Sequence, residues 1–166
     1  MIASDKLIDG MNQQIGNEMA ASMQYVGIAS YFDGRSLPKL ADFFYRQAEE
    51  EREHAMKFQK FVVDAEGSLA IPEIPAPKCD FGSAHEAVVL ALESEKTVTR
   101  QIYDLVAQGN EDRSYIALRF LDWFVNEQFE EVTTMGELLD VVSMAGEDGL
   151  LSVEEFLERR AEPHGE

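Results

Sequence analysis

Cysteine is nearly absent from this chain. Cys79 is the only one in 166 residues, which excludes an internal disulfide, a CxxC redox pair and a thiolate-held zinc or iron–sulfur site. Basic residues are also scarce: 14 Lys and Arg stand against 32 Asp and Glu, a formal charge of -18. Nucleic acids and anionic membranes are bound through basic patches, so the composition argues against both as partners. The acidic excess suits a protein that attracts cations, or simply one that stays soluble. No stretch approaches eighteen unbroken apolar residues, and the start MIASDKLIDG lacks the basic-then-apolar order of a secretory leader. The expected compartment is the cytoplasm.

What the sequence does hold is helical pattern, with no two-residue alternation. A length of 166 residues with 45% hydrophobic content is enough for one core, so the chain reads as a single domain over residues 1–166. Ser4 suits the N-cap of a first helix that runs to Asp33-Gly34, and Ser36-Leu37-Pro38 opens a second that Gly67 ends. So short a link makes these two an antiparallel hairpin. Pro72, Pro75 and Pro77 break any helical period before Gly82, which predicts an extended crossover with Ile71 and Ile74 able to pack. Ser83-Ala84-His85-Glu86 has the form of a capping box for a third helix that Gly109-Asn110 closes. The fourth begins near Asp112 to Ser114 and runs to Gly146, so the bundle spans about 4–146. Ser152-Val153-Glu154-Glu155 has the form of a second capping box, for a short helix over about 152–160, and the tail after Pro163 is expected to fray.

Steps of four and three residues keep side chains on one face of a bundled helix, and four such seams run through the chain. The first is Met11, Ile15, Glu18, Ser22, Tyr25, Ala29 and Phe32; the second is Leu40, Phe44, Gln47, Glu51, His54, Phe58, Phe61 and Ala65. The third is Ala84, Val88, Ala91, Glu95, Val98, Ile102 and Leu105; the fourth is Ala117, Leu121, Phe124, Gln128, Glu131, Met135, Leu138 and Val142. Each carries its acid or imidazole near the middle, so in a bundle these exceptions meet at about one height. Facing carboxylates in a core repel one another and are costly to desolvate. The seams hold no Lys or Arg to pair with them, and a polyvalent cation removes both penalties.

Glu51-x-x-His54 alone is a weak signal within the acidic run Glu49 to Glu53, but the same register recurs on three other helices. Carboxylates with an imidazole and no thiolate suit iron or manganese among redox metals. Glu51, central and followed by His54, is the candidate bridge between two ions. One ion would take Glu18, Glu51 and His54; the other would take Glu51, Glu95 and Glu131. Gln128, one turn before Glu131, reads as a hydrogen-bonding partner of a ligand or of dioxygen, as a direct ligand, or as a satisfied core amide.

Glu18 with Tyr25 one heptad later, Glu51-x-x-His54, Glu95, the run from Trp123 to Glu131 and the short fifth helix together resemble the prokaryotic non-haem ferritins, over nearly the whole chain. The resemblance implies an all-α, ferritin-like four-helix bundle with the long crossover between helices two and three. It implies a ferroxidase centre that takes two ferrous ions, oxidises them with dioxygen or peroxide, and passes ferric iron to a mineral inside a hollow homo-oligomeric shell of 24 subunits. Tyr25 would then stand beside the metals as donor of a hydrogen bond or an electron; its other reading is an amphipathic core aromatic. Glu50, Glu127 and Glu130 match a third iron site of many prokaryotic members, and otherwise read as a solvated acidic face. Glu111 and Asp112 are candidates for lining an entry pore.

Bacterioferritins, a sister class, carry a second E-x-x-H on the fourth helix and a methionine that ligates haem between subunits. Here the second motif is Gln128-x-x-Glu131, Arg52 follows the bridging glutamate, and Met19, Met23 and Met56 have core-like spacing. No haem is expected. The rival reading is a di-iron peroxidase or oxygenase of the same superfamily acting on an external substrate. The lone Cys79 cannot supply the rubredoxin module that usually accompanies the peroxidases.

Overall fold

The computed structural model describes residues 2–161, so the expected fraying after Pro163 lies outside the described residues. Its helices are α1 (Asp5–Asp33), α2 (Pro38–Asp64), α3 (Ala84–Glu111), α4 (Tyr115–Ala145) and α5 (Leu150–Ala161), with one 3₁₀ turn at Glu147–Gly149 and no strand among the described residues. The first four are rods of roughly 40–46 Å. α1 pairs with α2 and α3 with α4 as antiparallel hairpins, and α1 also packs on α3. Every seam residue is buried except Phe61 and Ala65, which are half-buried at the end of α2. The apolar core falls into two halves. One gathers Tyr25, Phe32, Phe44, Val88 and Leu138, closed off by Leu150, Val153 and Leu157 of α5; the other gathers Leu7, Ile15, Phe58, Ile102 and Phe124. Each fully buried side chain of this kind stabilises the fold by about 1.5–3 kcal/mol. The polar residues of the four seams lie between the halves.

Helix ends explain how the rods are held in register. Ser4 accepts from the Leu7 N–H at 3.1 Å and Ser83 from the Glu86 N–H at 3.0 Å, as N-caps should. The Glu86 carboxylate reaches past Ser83 to the Gly82 N–H at 2.8 Å. The fifth helix departs from the expected capping box. The 3₁₀ turn provides its entry, so it begins at Leu150 and Ser152 lies inside it, donating to the Gly149 carbonyl at 2.5 Å. Glu154, in the second turn of α5, caps another helix: its carboxylate accepts from the N–H groups of Lys39 and Leu40 at 3.0 and 2.8 Å, where Leu37 offers no side-chain cap. Glu147 accepts from Ala84 at the start of α3 and pairs with Arg35 at 3.2 Å.

The residues that turn left-handed after α1, α2 and α3 are Ser36, Glu66 and Arg113, not the neighbouring glycines. Each is followed by the six-residue closing bond of a helix C-terminus: Leu37 to Phe32, Gly67 to Val62 and Ser114 to Gly109. Gly67 is needed for space, since a Cβ there would lie 2.8 Å from Ile8 Cδ1. The crossover lies along α1. Asn12 donates to the Ser68 carbonyl and accepts from the Ala70 N–H, Gln24 does the same for Lys78, and Pro72 presses on Gly16, where a Cβ would meet Pro72 Cγ at 2.4 Å. These clamps fix the crossover without Ile71 and Ile74, which stay exposed rather than packing. Met23 and Met56, of core-like spacing, are exposed as well, and so is Cys79. No helix of the described residues is long and apolar enough to cross a membrane.

Candidate metal centre

Four helices each send a buried carboxylate into the polar layer: Glu18 from α1, Glu51 from α2, Glu95 from α3 and Glu131 from α4. The 4-3 spacing places them there, because the apolar residues above and below the polar stretch of each seam bury in the two halves of the core. His54 enters from α2 beside Glu51, its Nδ1 3.2 Å from Glu51 Oε2. Its ring is wedged edge-on against Trp123 and Phe124, at centroid distances of 5.4 and 5.8 Å.

The ligand-capable atoms of Glu18, Glu51 and His54 lie within 4.8 Å of one another, and so do those of Glu51, Glu95 and Glu131. Glu51 belongs to both groups, as a bridge must. His54, Glu127 and Glu131 form a further group of the same kind. Tyr25 donates its hydroxyl to Glu95. Gln128 Nε2 reaches Glu95 Oε2 at 3.1 Å and Thr99 Oγ1 at 3.2 Å, so this amide and the tyrosine together orient Glu95.

Glu50, Glu127 and Glu130 do not gather as a trio of their own among the described residues. Glu127 instead faces His54 Nε2 at 3.8 Å, Glu50 touches Glu131 from an exposed position, and Glu130 is exposed. Glu111 pairs with Lys6 at 3.7 Å, and Asp112 accepts from Ser4 and Gln108, which stitches the start of α1 to the end of α3. Attention to the seams misses one residue of this layer: Gln14, buried off the seam, donates to Glu18 at 2.9 Å. Its signal in the sequence is an amide four residues before a buried acid, one turn away on the same helix face.

The donor set fits a polyvalent cation. Glu18 Oε2, Glu51 Oε1 and Gln128 Oε1 are buried without a hydrogen-bond partner. Among the described residues no ion pair brings Lys or Arg to the four buried carboxylates. Burial, then the charge of Glu18 and Glu95, pushes the Glu51 carboxyl well above its ordinary range. Burial raises Glu95 too. Glu131 is pushed up to about 9 by burial, with Glu95, Glu50 and Glu127 adding to it. Burial and then Glu95 drive the Tyr25 phenol well upward, so it remains a hydrogen-bond donor at neutral pH. His54 moves down through burial, which outweighs the pull of Glu18 and Glu127 and keeps the imidazole neutral and able to ligate. Protons thus occupy sites that a cation would take over, releasing them.

The family model described as the Ferritin-like domain matches residues 8–145. The chain belongs to the ferritin family. It is 40% identical over 152 residues to ferritin BfrB of Mycobacterium tuberculosis, covering 92% of this chain and 83% of that relative. It is 34% identical over 148 residues to a bacterial non-heme ferritin of Staphylococcus haemolyticus, covering 89% of each. Among solved structures, an open-pore ferritin from the hyperthermophilic archaeon Archaeoglobus fulgidus superposes with a TM-score of 0.90 at 30% identity, over 93% of this chain and 96% of that one. The bundle, crossover and fifth helix of this ferritin are those of the fold.

Proposed function

We propose that this ferritin stores and detoxifies iron by oxidising ferrous ions in the polar layer and depositing the ferric product as mineral in a hollow cytoplasmic shell of 24 copies. The observation that carries the reading is a core layer of four buried carboxylates, two of them (Glu18 and Glu51) with an unpartnered oxygen, and no Lys or Arg paired with any of the four among the described residues. Ferrous iron is the substrate. Glu18, Glu51 and His54 bind one ion, Glu51 with Glu95 and Glu131 binds the other, and Tyr25 and Gln128 hold Glu95 in place. Two ferrous ions yield two electrons, which reduce dioxygen to hydrogen peroxide with uptake of two protons, or hydrogen peroxide to two waters. Glu127, beside His54 and Glu131, with Glu50 and Glu130 farther out, offers the ferric product a way off the centre or a third site.

Gln128-x-x-Glu131 and Arg52 support a ferritin that carries no haem. An external organic substrate finds little support: a surface cavity of about 640 Å³ lined by Arg52, Met56, Lys57, Phe61 and Phe120 includes none of the proposed ligands. Glu51→Ala tests the reading, because it removes the shared ligand. Stopped-flow mixing with ferrous iron and dioxygen should show the fast oxidation phase lost while size-exclusion chromatography shows the assembly intact. An unchanged rate would sink the assignment.

A further inference from the structure

Glu18 is held by a different device from Glu95. Glu95 receives its hydrogen bonds from across the bundle, but Glu18 receives one from its own helix: Gln14 Nε2 donates to Glu18 Oε1 at 2.9 Å. Gln14 is only 2% exposed, and its amide has one workable orientation. Its Oε1 accepts from Asn17 Nδ2 at 3.0 Å, and its Nε2 also lies 3.4 Å from Gln101 Oε1. A flipped amide would set a carbonyl oxygen against the carboxylate. Asn17 Oδ1 in turn accepts from Gln13 Nε2 at 3.3 Å. Gln13 is exposed, so three amides run from solvent to the buried acid, with every donor pointing inward. Aligned amides polarise one another, and a bond donated to an ionised carboxylate is stronger than a neutral one. The other oxygen, Glu18 Oε2, has no partner and faces His54 Nδ1 at 4.0 Å.

We infer that Gln14 is a positioning residue for iron oxidation: by engaging Oε1 it leaves Oε2 as the one oxygen through which Glu18 takes the ferrous ion. The inference rests on Glu18 being an iron ligand. A carboxylate that chelates through both oxygens fills one more position on an ion, and an oxidant then has one fewer to enter.

The test uses cobalt(II), a redox-inert probe, on the assembled protein. Gln14→Met keeps the volume and removes the donor. In cobalt-soaked crystals the parent should hold the ion through Glu18 Oε2 alone, and the variant through both oxygens. In solution the affinity of the Glu18–Glu51–His54 site should fall about tenfold, while that of the Glu51–Glu95–Glu131 site changes by less than about twofold. Asn17→Ala tests the same line from a half-buried position without disturbing the core; by freeing the Gln14 amide it should lower the first affinity about threefold. A parent with Oε2 on the ion and variants indistinguishable from it overturn the inference alone. A parent whose cobalt is not touched by Glu18 overturns the ligand assignment, and the inference with it.

Discussion

Replacing Glu131 by glutamine should stabilise the metal-free protein, and by an amount that depends on pH. The side chain is 4% exposed, and burial with its acidic neighbours pushes its pKa from 4.5 to about 9. Between those values the folded protein keeps a proton that the unfolded chain gives up. Holding it at pH 7 costs up to about 3 kcal/mol, or 1.36 kcal/mol for each of the roughly 2.5 pH units above the unfolded pKa. The sign follows: the native state binds more protons, so its stability falls as pH rises through this window, by up to about 1.4 kcal/mol per unit, and levels off above about pH 9. Glutamine keeps the shape and has no proton to hold. With a chelator present, Glu131→Gln should therefore melt up to roughly 6–12 °C above the parent at about pH 7, at 2–4 °C per kcal/mol for a chain of this size. The gain should shrink to a few degrees at about pH 5.5. Calorimetric melts at matched protein concentration and scan rate measure it. A variant that melts at or below the parent at the higher pH, or gains equally at both, refutes the account. Excess cobalt(II) should reverse the ranking, because the parent exchanges its proton for a cation and the variant cannot.

Cobalt(II) or zinc(II) binding near pH 7 should release protons, since Glu51, Glu95 and Glu131 all have raised pKa values. Apparent affinity should climb as pH rises toward 9, and pH-stat titration that finds no release contradicts this. Tyr25→Phe removes the hydroxyl that Glu95 accepts from, and stopped-flow oxidation should slow about tenfold at unchanged ion stoichiometry. Glu154→Ala uncaps α2 and should cost about 1–2 kcal/mol, a drop of a few degrees in melting temperature, while Glu154→Gln, which keeps a carbonyl acceptor, should lose less.

The seams made the bundle legible because a 4-3 pattern of apolar residues has one common solution, four rods packed on a shared core. The polar exceptions were legible for the same reason: Glu18, Glu51, His54, Glu95, Gln128 and Glu131 are buried by the register of their neighbours. Residues whose role depends on another helix were not. Ser152 and Glu155 have the spacing of a local cap, and only the docking of α5 shows Ser152 inside the helix and Glu154, between them, turned toward α2. Ile71 and Ile74 read as packing residues, yet Asn12, Gln24 and the Pro72–Gly16 contact hold the crossover in their place. Glu127 and Glu130 look alike in sequence, but they lie three residues apart at the edge of the buried face, and only Glu127 reaches His54. Gln14 escaped because it is neither an acid nor on a seam.

The two carboxylates that close the N-termini of α2 and α3 both come from the last part of the chain, Glu154 and Glu147. A ribosome delivers them after all four rods have emerged. Until then the first turns of α2 and α3 have exposed donors and can fray, and the half of the core beneath α5 stays open to water. The order of the chain thus leaves the starts of α2 and α3 to be fastened only after the helices themselves have been made.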